Sequence, residues 1–365
     1  MNNKKPKIAI IGLKGLPAFG GAASVGENLI SHLHDSFEFT IYSISTHTEL
    51  QSGFYNNMCY QIVFHSIKNK KLNSLIYYLR SAFHALVNNY DLIHLHHRDA
   101  TFILPLLRLK YRVVLTTHGM VLTDKWKRFS FAFTLQDKIF LKFTSTITTV
   151  SIKDYDIIKS ILKVNSKLII HIPNGVNVSS KSYEEKNHLT FAAGRIIPNK
   201  GLHLFLEALI KKNIKNEIKI IGDLSQMPAY ESQINNLITK LPQISKKGLI
   251  KDKEALFEEI GSSKLFVYPS LIESMSMMML EVASLGVPMI CSRIKENTDV
   301  FTEGEVLYFE SDNSDDLAEK ISWALDNMSM MHEKAKNARA KLLNNYLWKD
   351  IALQYSKVYR SLLDK

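Results

Sequence analysis

The chain has 365 residues, 46% of them hydrophobic and 22% charged, with 46 Lys and Arg against 35 Asp and Glu. That length and balance exclude a disordered or fibrous chain and leave room for two hydrophobic cores. No apolar run reaches the roughly eighteen residues that span a bilayer, and the opening MNNKKPK leads into a strand rather than a secretory leader, so a cytoplasmic chain is expected. In chain order, short strand-like runs alternate with helical ones. The first half has strands over 7–13, 37–45, 61–67, 91–96, 112–118, 145–151 and 167–173, with helices over 25–34, 72–88 and 153–162. The second has strands over 189–195, 218–223, 248–250, 264–270, 289–292 and 306–309, with helices near 202–212, 230–241, 253–260 and 315–327. Buried strands alternating with helices predict parallel sheets covered on both faces. Each half is therefore expected to be a doubly wound, Rossmann-like α/β domain, with ligands at the carboxyl ends of its strands. The polar segment 174–187 is the expected linker between a first domain, 1–173, and a second, 188–343, and 344–365 the closing helix that packs back on the first.

Charge is uneven along this plan. Residues 1–175 hold 21 Lys and Arg against 10 Asp and Glu, and residues 176–365 hold 25 of each, so the whole excess of +11 belongs to the first half. A basic half suits an anionic partner, such as a membrane surface or an acidic ligand. Nucleic acid fits the charge but no recognised module supports it. The two cysteines, Cys59 and Cys291, lie in or beside apolar runs and read as buried thiols, with no disulfide framework and no zinc spacing.

Several strand ends carry chemistry. The first is GLKGLPAFGGAASVGENL, where Gly12, Gly15, Gly20 and Gly21 free backbone N–H groups for a phosphate ahead of a helix. Their spacing is not the dinucleotide fingerprint, and a plain flexible turn is the alternative. In DLIHLHHRD, His94 and His96 share one face of a strand with His97 opposite, and THG puts His118 at the next strand's end. A metal at His94 and His96 competes with buried core histidines, and no neighbouring ligand set completes it. Asp154 and Asp156 form an Asp-x-Asp pattern within a helical run and are expected to face solvent.

In the second half, FAAGRIIPNKGLHLFLEAL ends a strand at Arg195 and opens a helix at Lys200 and Gly201. A guanidinium fork, an ammonium and a helix N-terminus together suit a diphosphate. Further on, YPSLIESMSMMMLEVASLGVPMICS places Glu273 in a loop and Glu281 about a turn and a half into a helix begun near Ser276. One carboxylate on the loop and one on the helix can therefore face the same small polar ligand, and the unpaired N–H groups of the loop and first turn suit an anionic or hydroxyl-rich one. The alternative is a solvated Glu281 with Met275, Met277, Met278 and Met279 as core filling.

Taken together and in order, GGAASVGENL, TTHGM, TVS, IPNGV, GRIIPNKG, IIGD and PSLIESMSMMMLEVASLGVP resemble the family-4 glycosyltransferases of GT-B type across nearly the whole chain. The last stretch is similar to that family's Glu-x7-Glu signature. GLKGLPAFGG also resembles a rhamnosyltransferase-like subgroup, but one residue is missing before the paired glycines. The resemblance implies a GT-B fold, two Rossmann-like domains with a cleft between them, and transfer of a sugar from a nucleotide-diphosphate donor with retention and without metal or other cofactor. It implies that Arg195 and Lys200 hold the diphosphate, Glu281 the ribose and Glu273 the transferred sugar. Ser276, Met277 and Met278 would contact sugar or phosphate, Gly20 and Gly21 would close over the phosphate, and His118 would lie by the reacting carbon. Where the family often has Gly-Phe-Gly after its first glutamate, this chain has Ser274, Met275 and Ser276.

For relatives of this kind the acceptor is often a lipid-linked saccharide in O-antigen, capsule or exopolysaccharide synthesis, bound by the N-terminal domain at the inner face of the membrane. Lys68, Lys70, Lys71, Lys125, Lys127 and Arg128, with Trp126 and Phe129, are the expected membrane-facing residues. A sugar-nucleotide epimerase of related fold and a non-catalytic basic surface-binding protein are the competing functions.

Overall fold

Runs such as KIAIIGLK and SKLFVY have no polar alternation and are buried along almost their whole length, as strands covered on both faces must be. A computed structural model describes residues 4–18, 20–119, 130–162, 168–179 and 181–364. It divides into unit 1, Met1–Asn174 with Trp348–Lys365, and unit 2, Gly175–Leu347. Counted by unit, Lys and Arg stand 25 against 12 Asp and Glu in unit 1 and 21 against 23 in unit 2.

In unit 1 the described strands are β1 (Lys7–Lys14), β2 (Glu38–Ile44), β3 (Gly53–Tyr55), β4 (Cys59–Phe64), β5 (Leu92–His96), β6 (Val113–Thr117), β7 (Thr146–Thr149) and β8 (Ile169–His171). They form one sheet in the order β3-β4-β2-β1-β5-β6-β7-β8, parallel except for the β3 edge. Between them run helices including Gly21–Leu33, Lys70–Val87, Ser130–Phe140 and Ile152–Leu162. The helix Trp348–Leu363 returns to this unit. Trp348, Ile351, Tyr355, Val358, Tyr359 and Leu362 recur at helical spacing on its buried side, and the ring of Tyr359 packs edge-on against Phe37.

Unit 2 contains β9 (Lys186–Arg195), β10 (Glu217–Asp223), β11 (Ile244–Gly248), β12 (Ser263–Tyr268), β13 (Met289–Ser292) and β14 (Leu307–Phe309), all parallel in the order β11-β10-β9-β12-β13-β14. Its core gathers Leu189, Phe191, Phe205, Leu206, Leu265, Val267, Ile290 and Phe309. No described helix is long and apolar enough to cross a membrane.

Several expectations need correction. The strand foreseen at 248–250 is β11, Ile244–Gly248, and Gly248 at φ +68° turns the chain out of it. The strand foreseen at 61–67 ends at Phe64 and is preceded by the unforeseen β3. β9 begins at Lys186, inside the segment foreseen as linker. The helix Met328–Asn345 was not foreseen, and the closing helix starts at Trp348 rather than 344. Asp154, expected at the surface, is 1% exposed, whereas Asp156 is exposed. Cys59 and Cys291 are free and buried, and burial pushes the Cys59 thiol up to about 12.

Candidate active site

An open parallel sheet leaves a crevice at the carboxyl ends of two adjacent strands whose onward connections go to opposite sides. In unit 2 those strands are β9 and β12, since β10 lies beyond β9 and β13 beyond β12. The two segments that leave them carry most of the polar residues picked out by the sequence.

After β9 the chain makes one short turn, Pro198–Lys200, and reaches Gly201 at φ +70°. A Cβ there would lie 2.0 Å from the carbonyl oxygen of Pro269, so only glycine lets this turn sit against the segment leaving β12. Leu271 N–H closes the same contact by donating to the Asn199 carbonyl at 2.8 Å. Lys200 is thereby held over the loop. Its Nζ donates to Glu273 Oε1 at 2.5 Å, with side-chain exposures of 27% and 11%.

Tyr268, the last residue of β12, donates its phenol to the same Oε1, also at 2.5 Å. Burial first, and then the carboxylate of Glu273, push that phenol well above its ordinary pKa, so it remains a donor. Among the described residues, two donors therefore converge on Oε1 and none on Oε2. Arg195, by contrast, is exposed and forms no ion pair among the described residues. Its neighbour in register, Asp223, is committed elsewhere. That carboxylate accepts from Ser225 N and Oγ at 2.9 and 2.7 Å and from Gln226 Nε2, bonds that hold it below the usual carboxylate range.

The helix Met277–Ser284 begins where the sequence indicates, with the hydroxyl of Ser276 as cap accepting from Met279 N at 3.3 Å. Met277 and Met278 are half-buried in its first turn, whose N–H groups have no acceptor within the helix. Met275 and Met279 are buried core, as the alternative had it for those two. Glu281 lies in the second turn and is not a free carboxylate. Lys253, which opens the helix Lys253–Gly261, approaches its Oε1 to 3.0 Å.

Unit 1 has its own equivalent position between β1 and β5. Gly12 at φ +114° allows the close approach there, for its Cβ would lie 2.3 Å from the His96 carbonyl oxygen. The loop after β1 is fixed by side chains from β4, from the segment after β2 and from the helix that follows. Leu16 N–H donates to Gln61 Oε1 at 2.9 Å, Thr48 Oγ1 donates to the Leu16 carbonyl at 2.6 Å, and Ala18 N–H donates to Glu27 at 3.2 Å. Gly20, at φ +116°, is the exposed N-cap of Gly21–Leu33, with Gly21 exposed beside it.

The histidines form one hydrogen-bonded and stacked group in this unit. His94 is fully buried, with Nδ1 2.7 Å from Tyr359 Oη and Nε2 2.7 Å from Thr116 Oγ1. His96 Nδ1 lies 2.8 Å from His118 Nε2, the two rings stacked at 11°. Burial lowers all four: His94 to about 3, His97 to about 4, and His96 and His118 well below 6.5. They are neutral at pH 7. Among the described residues no group of three or more His, Cys, Asp and Glu is placed to hold a metal, and His94 is already used by Tyr359 and Thr116.

Sequence reasoning missed Tyr268, Lys253 and the pairing of His96 with His118. Tyr268 ends an apolar run that reads as buried strand, and Lys253 is one lysine of a Lys-Asp-Lys cluster. Neither carried a signal of its own.

The sequence matches two family descriptions in tandem: Glycosyltransferase Family 4 over residues 19–180 and Glycosyl transferases group 1 over residues 177–341. The chain belongs to the family-4 glycosyltransferases. Among curated members, this glycosyltransferase is 27% identical over 285 residues to the UDP-Gal:alpha-D-GlcNAc-diphosphoundecaprenol alpha-1,3-galactosyltransferase of Escherichia coli, covering 70% of this chain and 72% of that one. It is 26% identical to the O-antigen chain mannosyltransferase RfbU of Salmonella typhimurium, covering 82% of each. The match to the capsular polysaccharide biosynthesis glycosyltransferase CapM of Staphylococcus aureus, at 22% identity, spans 45% of this chain and 44% of the relative. Of solved structures, Anabaena Alr3699/HepE in complex with UDP and glucose is similar with a TM-score of 0.79 at 15% identity, over 98% of this chain and 100% of that one. The likeness extends to the whole fold, which is GT-B.

Proposed function

We propose that this glycosyltransferase moves a sugar from a nucleotide-diphosphate donor to a lipid-linked saccharide in the synthesis of a bacterial surface polysaccharide, with retention at the anomeric carbon. The observation that carries the donor side is the meeting of Lys200 and Tyr268 on one oxygen of Glu273. Glu273 Oε2 then accepts from a hydroxyl of the donor sugar, and Glu281 from the ribose. Arg195, exposed and unpaired, takes the diphosphate together with Lys200 and the first-turn N–H groups of Met277 and Met278. As the sugar–oxygen bond breaks, negative charge grows on the diphosphate, and these fixed cations stabilise it most at that moment. Their charge is the work a metal would otherwise do, and we propose that none is required. Gly20, Gly21 and His118 of unit 1 are proposed as further donor-contacting residues. The names of the E. coli relative and of the Anabaena complex support a uridine diphosphate donor, and the names of the E. coli and Salmonella relatives support a diphosphoundecaprenol-linked or O-antigen acceptor.

The membrane side rests on unit 1. Phe131, Leu135, Ile139 and Phe143 are all exposed at intervals of four, Phe131 by 81%, with the exposed Lys138 and Lys142 beside them. Such a stripe along and just beyond the helix Ser130–Phe140 suits the boundary between anionic headgroups and acyl chains. Lys68 is exposed, the side chains of Lys70 and Lys71 fall outside the description, and so do Lys125, Trp126, Lys127, Arg128 and Phe129. The enzyme then works as a peripheral protein at the inner membrane face.

A thermal-shift series with UDP, GDP, dTDP and ADP, without metal, tests the donor side. A nucleotide at a hundred times its Kd adds about 2.7 kcal/mol of stability. One of the four is expected to stabilise the wild type and not Lys200→Ala. No shift from any nucleotide, with or without magnesium, counts against it. Flotation with anionic and with neutral vesicles tests the membrane side. Phe131→Ser with Leu135→Ser is expected to lower binding to the anionic vesicles, and equal binding to both vesicle types overturns it.

A further inference from the structure

His96 is fully buried, yet its Nε2 has no hydrogen-bond partner among the described residues, while its Nδ1 lies 2.8 Å from His118 Nε2. Only one proton can occupy that short contact. If it sat on His118 Nε2, the proton of His96 would be on its own Nε2, as a buried N–H with nothing to receive it. If it sits on His96 Nδ1, the unpartnered atom is a bare lone pair. Orphaned buried N–H groups are the rarer of the two, because an unpaired donor loses its water without recompense whereas acceptors are commonly left short. We infer that His96 donates from Nδ1 to His118 Nε2 and thereby fixes His118 as the Nδ1–H tautomer, a hydrogen-bond donor aimed at the ligand.

The surroundings hold His96 to this task. His94 lies against it with ring centroids 4.2 Å apart and is itself tied at both nitrogens, so it cannot turn to compete. On the backbone side, Gly12 lets β1 come within a distance that any side chain would forbid. No described residue accepts a hydrogen bond from His118 Nδ1, so among these residues the donor is unspent. Its acceptor is an oxygen: a sugar hydroxyl or a phosphate oxygen of the donor. A histidine that accepted at this position would choose hydroxyl protons alone, whereas a fixed donor also suits an anionic oxygen. His96 is a positioning residue, acting through His118, and this role rests on the proposed placement of His118 at the donor.

The test is the ring-nitrogen spectrum of the full chain labelled with 15N in histidine. At pH 7 the expected His118 signature is a protonated Nδ1 with a bare Nε2, and in His96→Leu it shifts to Nε2–H. His96→Asn, which offers an amide N–H in place of Nδ1–H, is expected to restore the wild-type signature. In turnover, His96→Leu should lower kcat roughly tenfold with little change in the donor KM, and His96→Asn should stay within about threefold of wild type. A wild-type His118 protonated at Nε2, or a His118 signature unchanged in His96→Leu, overturns the assignment. A His118→Ala enzyme with undiminished turnover overturns the placement of His118 at the donor instead, and leaves the tautomer result standing.

Discussion

After β1 and β5, the central strands of unit 1, come glycines and a set of neutral histidines. After β9 and β12 of unit 2 come Arg195, Lys200 and Glu273, with Lys253 and Glu281 beside them. The two sheets share a winding, and the difference is in what each leaves charged. Unit 1 has the larger excess of Lys and Arg, yet β5 ends in uncharged rings, with Arg98 just beyond it held by the buried Asp137, whereas unit 2, nearly balanced overall, has the partly exposed pairs Lys200–Glu273 and Lys253–Glu281 near its strand ends. Net charge and site charge are thus separate quantities. The first governs the surface a domain is drawn to, and the second governs the bond it can break.

The comparison breaks most sharply at Lys200. If the charged strand ends of unit 2 do the chemistry, Lys200→Ala and Glu273→Gln should each lower kcat by about 10²–10³, the usual loss when one transition-state donor is removed. The melting temperature should move little, since the pair is partly exposed and ion pairs of that kind add little stability. Transfer assays with the nucleotide sugar identified by thermal shift would check this. Loss below tenfold would move the chemistry away from unit 2.

Acid separates the units by stability instead. His94 is about 3 in the fold against about 6.5 in an unfolded chain, so below pH 6.5 the unfolded state takes the proton first. Stability is complete above 6.5 and is lost as pH falls through the window from 6.5 to 3, by about 2 kcal/mol at pH 5 from this group alone. His96, His97 and His118 shift in the same direction. In unit 2 burial also lowers His188 and His203, two groups against the four of unit 1, and the lowered carboxylates, Asp223, Glu259 and Glu305, lose their contribution only below the ordinary carboxylate range. Hydrogen exchange at pH 5 should therefore show unit 1 opening first, and His94→Phe should narrow the gap. Equal opening of the two units would show that the histidines are not held neutral.

How far the sequence could carry this follows from particular residues. The Glu273–Glu281 stretch was legible because a loop, an N-cap serine and a helix ended at Gly286 follow one another within one short segment. The helix Met328–Asn345 was not, because its buried side is built from Met331, Ala335, Ala338 and Leu342, and two alanines give too weak a contrast to mark a face. Asp154 read as solvated because it falls in a helical run, and only packing reveals its burial. The convergence of Lys200 and Tyr268 on Glu273 joins residues 73 and 5 positions away from it, and only the pairing of β9 with β12 brings the first of these near. Chain order can suggest the family of the site but not which oxygen of a carboxylate is free.

That free oxygen gives a subtler test. Tyr268→Phe removes one of two donors to Glu273 Oε1 and leaves Lys200 in place, so the carboxylate keeps its charge but loses part of its orientation. One hydrogen bond to a charged acceptor is worth about 1.5–3 kcal/mol. With Lys200 still attached, the lower end applies, roughly tenfold in kcat/KM, carried by the donor sugar rather than by the nucleotide. Affinity for the nucleotide alone should be unchanged in calorimetry. A Tyr268→Phe enzyme weakened equally toward nucleotide and sugar nucleotide would mean that Tyr268 supports the loop in general and not the orientation of Glu273.

The smallest effect is expected at Lys253. Its side chain is 53% exposed and that of Glu281 13%, with Nζ and Oε1 3.0 Å apart. An exposed lysine gives up little hydration to make this contact, so the pair contributes no more than about 1 kcal/mol. Two consequences oppose each other in Lys253→Ala. Glu281 loses an anchor and becomes less well placed for a ribose, but it is also released from a cation with which the ribose hydroxyls must compete. If orientation dominates, the donor KM rises two- to fivefold, on the order of 0.4–1 kcal/mol, with kcat unchanged, because ribose contacts are uniform between ground and transition states. If release dominates, KM falls by a similar factor. Salt checks the pair itself: the contact is partly exposed and screened, so at high ionic strength the KM difference between wild type and Lys253→Ala should shrink, in whichever direction it runs, on top of the salt effect that both share at the diphosphate.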